Sequence, residues 1–480
     1  MLETRGRVSV SDFRFSRRGF LEKAGVAGGI PLIGTLMAAG PFQARAVPQL
    51  KGKAKSVVIP THEFAGPNGA PWVEERIDFP ESWDLHVMEM AGHGKEVLTA
   101  QQIAEQCNTP IGSRSLRELA EGKKTVAISF DDLTRTTPAF AVTPWLMSEL
   151  TKAGIKDENV LFIGSFGTHR AMTQEEVGRK LGPEIAKTYA WLNHDAFDNV
   201  KEVGTTTRGN KILLNQTFLA ADLKICISGV KVHQDAGYGG GAKAILPGLS
   251  ALPTVEYNHT QILTKVRTTG PVRIFKNDMR LDMIEAARMV KVDYTVQILY
   301  NDRLRPTQIW GGDIVDAHHA GVRVAAKTYC TPTFKDADIV VANAYPQTAQ
   351  AFHGGLWINY SRRPGGTGVL IAQHPLGLDP VHYLNNRLAG RSGATQFDLT
   401  SRRVSGLGRG GAAPQAAQGN MIVYSQYLTR NLKNNYRTGT FFCDKWPDVI
   451  AKLKELHPGD PKVAVYPYAG MQHQEIELDG

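Results

Sequence analysis

The stretch Thr125-Val-Ala-Ile-Ser-Phe130, followed by Asp131-Asp132-Leu133-Thr134-Arg135-Thr136-Thr137-Pro138, decides the fold class. Six uncharged residues read as a short buried strand, the polar run ends it, and Ala139–Ala153 has a helical pattern. Strand, loop and helix make the repeating unit of an α/β fold, and ligands gather at the carboxyl ends of such strands. Asp132 and Arg135 are therefore placed to bind. A plainer role is an aspartate bonding its own turn beside a surface ion pair.

The unit recurs. Asn159–Ile163 predicts a second strand, and Gly164-Ser-Phe-Gly-Thr-His-Arg170 follows it, leaving His169 at a strand end. Thr173 with Glu176 three residues on is the capping box of a helix reaching about Tyr189. Beyond Arg273 the spacing predicts helices at Leu281–Val290, Asp313–Lys327 and Trp446–Leu456. Strands are expected at Tyr294–Tyr300, Asp338–Asn343, Val369–Ala372, Met421–Tyr424 and Val463–Tyr466. The expected architecture is α/β with two domains, residues 47–272 and 273–480, and a cofactor and substrate cleft between them. His318 and His319 are adjacent on a helix, so they face different ways and do not form a ligand pair.

A third apolar run, Leu223–Val230, leads into Lys231-Val-His233 and the turn Gly237-Tyr-Gly-Gly-Gly-Ala-Lys243, with His259 further on. Gly237, Gly239, Gly240 and Gly241 let the backbone approach something bulky. An imidazole, a glycine cradle, an amine and a second imidazole read as a site for a phosphate-bearing cofactor that Lys243 touches or bonds. An ordinary turn with a solvated lysine fits the glycines as well. A P-loop does not fit, because it needs Gly-Lys-Ser/Thr and the order here is Gly-Ala-Lys-Ala.

A chain of 480 residues is too long for one ordinary core, and 42% hydrophobic with 21% charged residues is the balance of a globular protein. Residues 1–46 hold seven basic against three acidic residues, a net +4 of the chain's +9. No long basic run remains, so nucleic acid is not an expected partner. The same segment carries Ser16-Arg-Arg-Gly-Phe-Leu21, a mildly apolar stretch Ala24–Ala39 and Ala44-Arg-Ala46. That is the order of a twin-arginine signal peptide with its cleavage site. The apolar stretch is too short and glycine-rich for a stable membrane span. Export of folded protein by the twin-arginine translocase to the periplasm is expected, which suits a cofactor inserted beforehand. Cys107, Cys226, Cys330 and Cys443 form no CxxC pair, so a cysteine metal site is not expected.

Taken in order, Asp132-x-Thr134-Arg135, Gly167-Thr168-His169-Arg170, His233 and Lys243 with nine residues between them, and His259 resemble the nickel-dependent lactate racemase family. The resemblance runs from about Trp72 through His259 and more loosely beyond. It implies a 2-hydroxyacid racemase or epimerase, an isomerase carrying a nickel pincer nucleotide, pyridinium-3,5-bisthiocarboxylic acid mononucleotide. By the same resemblance Lys243 forms the covalent link, His259 is the nickel ligand, and His169 and His233 are the acid/base pair. Asp132, Thr134, Arg135 and the glycines 239–241 hold cofactor and substrate. Cytoplasmic cofactor-synthesis proteins become implied partners.

The chemistry is consistent with this. An α-hydrogen beside a hydroxyl is barely acidic, whereas its removal as hydride, with a histidine taking the hydroxyl proton, leaves a planar keto acid open from both faces. Imidazole titrates near neutrality and is an ordinary nickel ligand. One departure stands out. In Tyr345-Pro-Gln-Thr-Ala-Gln-Ala-Phe-His-Gly-Gly-Leu-Trp357, His353 and Leu356 fall where the lactate enzymes have Gln and Lys. His353, Trp357, Arg362 and Arg363 are candidates for a differently shaped pocket. The competing expectation is a non-catalytic periplasmic protein that binds a hydroxy acid or the nickel nucleotide. A nicotinamide dehydrogenase is disfavoured, since no Gly-x-Gly-x-x-Gly opens a helix.

Overall fold

The computed structural model describes residues 54–61, 73–263, 268–348, 351–373, 419–433, 436 and 439–480. The signal-peptide reading of residues 1–46 and the start of the resemblance at Trp72 lie outside them. Residues Lys55–Gly480 form one compact unit. Among the described residues no helix is long and apolar enough to cross a membrane.

In chain order, β1 (Ala54–Pro60) and β2 (Glu74–Pro80) pair as a small ribbon, and β3 (Asp84–Val87) follows. β4 (Val126–Phe130), β5 (Val160–Gly164) and β6 (Ala190–Asn193) run parallel to one another. β7 (Val200–Thr205) and β8 (Lys211–Asn215) make an antiparallel hairpin before β9 (Leu223–Gly229). β10 (Val232–His233), β11 (Ala236–Tyr238) and β12 (Gly270–Pro271) form a three-stranded patch. β13 (Tyr294–Tyr300) and β14 (Pro306–Gly312) are an antiparallel pair.

The first large sheet has the order β14-β13-β9-β4-β5-β6. Every residue of β4 and β13 is buried, which is why these strands carry no charged residue and do not alternate between apolar and exposed polar positions. The chain leaves β4 in one direction through β5 and β6, then returns to lay β9 on its other side. The loops after β4 and β9 therefore part at a switch point, where an open α/β sheet forms its crevice.

A second sheet is wholly parallel. It holds β15 (Ala337–Asn343), β16 (Arg362–Ile371), β17 (Asn420–Tyr424), β18 (Phe441–Cys443) and β19 (Lys462–Tyr466). Its order is β18-β17-β16-β15-β19-β3, with its own switch point between β15 and β19. The first sheet takes strands from both sides of the expected boundary at 272/273, because β13 adds to β9 in parallel register.

The helix expected from Thr173 to Tyr189 is interrupted. Gly182 stands at φ +94° and Pro183 restarts the chain, giving Gln174–Leu181 and Pro183–Thr188. The capping box is present, with Thr173 Oγ1 accepting from the Glu176 amide at 3.3 Å and Glu176 Oε2 from the Thr173 amide at 2.8 Å.

Candidate active site

The site is built where the first sheet's loops meet. Asp132, buried, lies just past β4. Its Oδ1 accepts the Thr134 amide at 2.6 Å, an Asx turn, and its Oδ2 stands 2.8 Å from His169 Nδ1. Burial alone would raise this carboxyl. The His169 imidazole and the Arg135 guanidinium outweigh that and hold it well below the ordinary carboxylate range. An ionised Asp132 accepts a hydrogen bond, so the His169 proton sits on Nδ1 and Nε2 is the basic nitrogen. Thr134 Oγ1 is 3.2 Å from the same Nδ1 and accepts from Arg135 Nη1 at 3.0 Å.

The loop is fixed from beneath by Lys180, which sequence reasoning missed. Its fully buried amine donates to Asp131 Oδ1 (2.5 Å), Arg135 O (2.7 Å) and Thr137 O (3.0 Å). The only hint was a lysine on the inward side of an amphipathic helix.

His233 ends β10. Its Nδ1 accepts from the amides of Asp235 and Ala236, each at 3.2 Å. Burial and the nearby charges of Lys243, Arg135, His353 and His259 hold its pKa well below the ordinary histidine value. One ring thus feels the charges of groups from four separate segments. The His353 ring lies 6.1 Å from that of His233.

Lys243 is on the single 3-10 turn Gly241–Ala244 and is buried. Its amine makes no hydrogen bond among the described residues. Burial, then Arg280 and Arg135, depress its pKa far below the usual lysine range. His259 falls on a π-helical turn, Asn258–Ile262, with its Nδ1 3.0 Å from Val255 O. That leaves Nε2 as the lone-pair nitrogen. Anchoring of the other ring nitrogen is how metal-binding histidines are oriented.

The glycines act differently from the expected cradle. A Cβ on Gly241 would lie 2.6 Å from the His318 ring, and one on Gly240 2.6 Å from Gln297 Oε1. The close approach they permit is to the protein itself. Gln297 Oε1 accepts the Gly241 amide at 2.9 Å, His318 Nε2 bonds Gly239 O at 2.7 Å, and Arg280 bonds the carbonyls of Ala236, Tyr238 and Gly240. The turn is locked so that Lys243 has one direction to point. His318 and His319 make no ligand pair, since His319 packs on Phe275 at 4.8 Å.

The second sheet closes on the site through Lys231, also missed, although a lysine between two valines beside His233 was a usable signal. Its amine, fully buried, donates to Gln347 Oε1 and to Gly470 O at 2.6 Å. Gln347 Nε2 in turn donates to Thr134 O at 2.7 Å. Gln347 follows β15 and Gly470 follows β19, so the two switch points face each other. Of the other candidates, Trp357 stacks on Tyr466 at 4.2 Å in the core. Arg362 bonds Asn420 O at 3.2 Å and Arg363 pairs with Asp338, both at the amino end of β16, so neither lines the pocket. His353 and Leu356 border a small cavity of about 10 Å³ with Val232 and Gln234. A larger cavity, about 610 Å³, lies at Glu75, Tyr424 and Trp446 and touches none of these residues, so chemistry rather than volume marks the site.

Residues 73–270 match the lactate racemase N-terminal domain family. The lactate racemase of Lactiplantibacillus plantarum is 26% identical over 293 residues, 60% of this chain and 69% of that one. That of Thermoanaerobacterium thermosaccharolyticum is 29% identical over 261 residues, 53% of this chain and 61% of its own length. The structure of the lactate racemase apoprotein from the latter organism superposes with a TM-score of 0.67 at 21% identity, covering 88% of this chain and all of its own. A Thermotoga maritima protein of known structure gives 0.60 at 18% identity, covering 80% and 100%. The α/β fold is shared with both structures, and over residues 73–270 the chain is similar to the lactate racemase family.

Proposed function

We propose that this racemase-type isomerase inverts the α-carbon of a 2-hydroxy acid by hydride abstraction and return, using a nickel pincer nucleotide bonded to Lys243 and ligated by His259. The observation that carries the reading is Lys243. A buried amine with no hydrogen-bond partner among the described residues, its pKa held below the usual lysine range by burial and by Arg280 and Arg135, suits a nucleophile that takes an acyl group. The donor set suits the group, because the His259 ring is oriented by Nδ1 on Val255 O and nickel accepts imidazole. When bound, the cofactor supplies a hydride acceptor that no side chain of the chain provides.

The protein's own residues do the rest. His169 Nε2 takes the hydroxyl proton, and Asp132 behind it stabilises the imidazolium that forms. Arg135 grips the carboxylate and fixes the α-carbon. His233 faces the substrate from another loop. His353 and Leu356, in place of the Gln and Lys of lactate enzymes, border the space for the substituent, so the substrate is a 2-hydroxy acid to be identified by a panel. Protein made alongside the cofactor-synthesis proteins should interconvert the enantiomers of at least one acid in a chiral assay. A pure binding protein would turn over none, and that outcome would discard the reaction. We assign residues 1–46 to twin-arginine export. Cell fractionation should find the mature protein in the periplasm, and its retention in the cytoplasm of an export-competent host would overturn that assignment.

A further inference from the structure

One helix, Asp278–Val290, packs against both the turn that carries Lys243 and the turn that carries His259. Residues two apart on a helix point about 200° apart, so Arg280 and Asp282 leave it on opposite sides. Arg280 donates to the carbonyls of Ala236, Tyr238 and Gly240. Gly240 O also accepts the Lys243 amide at 3.3 Å, so one carbonyl joins the guanidinium to the turn that aims the amine. Asp282 Oδ2 accepts from Asn258 Nδ2 at 2.8 Å, and Asn258 begins the π-helical turn that carries His259. The same Nδ2 donates to Met279 O at 3.2 Å. Asp282 accepts in addition from Thr206 Oγ1 at 2.6 Å and Asn210 Nδ2 at 2.8 Å. Arg280, Asp282, Asn258 and Asn210 are wholly buried. Among the described residues neither Arg280 nor Asp282 makes an ion pair. A buried charge without such a partner costs stability, and a neutral or apolar side chain of similar size would avoid that cost. Both charges sit instead where their hydrogen bonds hold a segment assigned to the cofactor.

We propose that Arg280 and Asp282 are positioning residues: from one helix they fix the Lys243 turn and the His259 turn relative to each other, so that amine and imidazole reach a single nucleotide. This rests on the cofactor proposed above. A guanidinium suits the first task because its planar fork holds several carbonyls at fixed angles. A carboxylate suits the second because it accepts from three donors at once, whereas an asparagine in its place would turn an N–H group on one of them. The Arg280 charge has a further effect. After burial it is the largest influence lowering the Lys243 pKa, which favours the unprotonated amine.

Two substitutions separate the roles. Arg280→Gln removes the fork and the charge, and Asp282→Asn keeps the size and loses an acceptor. In protein made with the cofactor-synthesis proteins, Arg280→Gln should reduce the share of chains with added mass on Lys243 by roughly ten-fold. Asp282→Asn should keep that adduct and release nickel to a chelator about 10–100-fold faster than wild type. In the apoprotein, hydrogen exchange should rise at 236–243 in the first variant and at 258–262 in the second, each leaving the other segment protected. Val290→Ala, a cavity at the end of the same helix, controls for lost stability and should change neither adduct nor nickel retention. Should Arg280→Gln fail to fold, Arg280→Lys, which keeps the charge and loses the fork, should show the same local rise at 236–243. Adduct and nickel retention falling together in both variants, or neither falling in either, overturns the proposal. Wild-type protein with neither adduct nor nickel overturns the cofactor instead, while the exchange pattern still decides which residue holds which turn.

Discussion

Asp132 does two jobs through one carboxylate: Oδ1 shapes the loop by taking the Thr134 amide, and Oδ2 sets the tautomer of His169. Asp132→Asn keeps the shape and loses the charge. Its amide also presents a donor to Nδ1, favouring the wrong tautomer. Racemisation should fall by about 10²–10⁴-fold with folding retained, read by initial rates and circular dichroism. The same group has a stability signature. Its folded pKa lies below its unfolded one, so it stabilises the native state above the ordinary aspartate range, and that contribution is lost as pH falls through it towards the folded value. Urea titrations from neutral pH down to about pH 3 should show a shallower loss for Asp132→Asn than for wild type, and equal slopes would contradict the assignment. Arg135 and Asp132 were legible in the sequence because they follow an obvious strand. Lys180 and Lys231 were not, since a buried lysine is told from a surface one only by the partners that the fold brings to it.

At the scale of elements, the loop after β4 depends on the helix Gln174–Leu181 through a buried ion pair. Lys180→Met leaves Asp131 buried beside an apolar chain, and should cost about 3–5 kcal/mol in chemical denaturation. Adding Asp131→Asn should restore part of it, because the stranded charge goes. The turn carrying Lys243 is similarly constrained. Gly241→Ala needs φ +57° and space held by the His318 ring, so it should destabilise by about 1–3 kcal/mol and blunt the reactivity of Lys243 towards acylating reagents. The strand–loop–helix units were readable from apolar runs and caps; Trp446–Leu456 has the expected bounds. The glycine run was read as a ligand cradle, and the structure packs Gly240 and Gly241 against Gln297 and His318. From sequence a glycine that makes room for a cofactor looks the same as one that makes room for His318.

At the scale of the molecule, two α/β sheets present their switch points to each other, and Lys231 and Gln347 tie the facing loops together. Sequence periodicity gave the strands but not their order, so it did not foresee β13 and β14 adding to the first sheet across residue 273. Lys231→Met leaves Gln347 Oε1 and Gly470 O without their donor, and should cost about 1–3 kcal/mol and loosen protection of the Tyr345–Gln347 loop in hydrogen exchange. We propose that this frame holds a metal-bearing nucleotide on one lysine. Intact-mass spectrometry with nickel analysis, on protein made with the cofactor-synthesis proteins present, tests it directly. Added mass on the peptide containing Lys243 and nickel close to equimolar with protein are expected, and neither in Lys243→Ala. Unmodified, nickel-free wild-type protein from cells that load a known lactate racemase would contradict it.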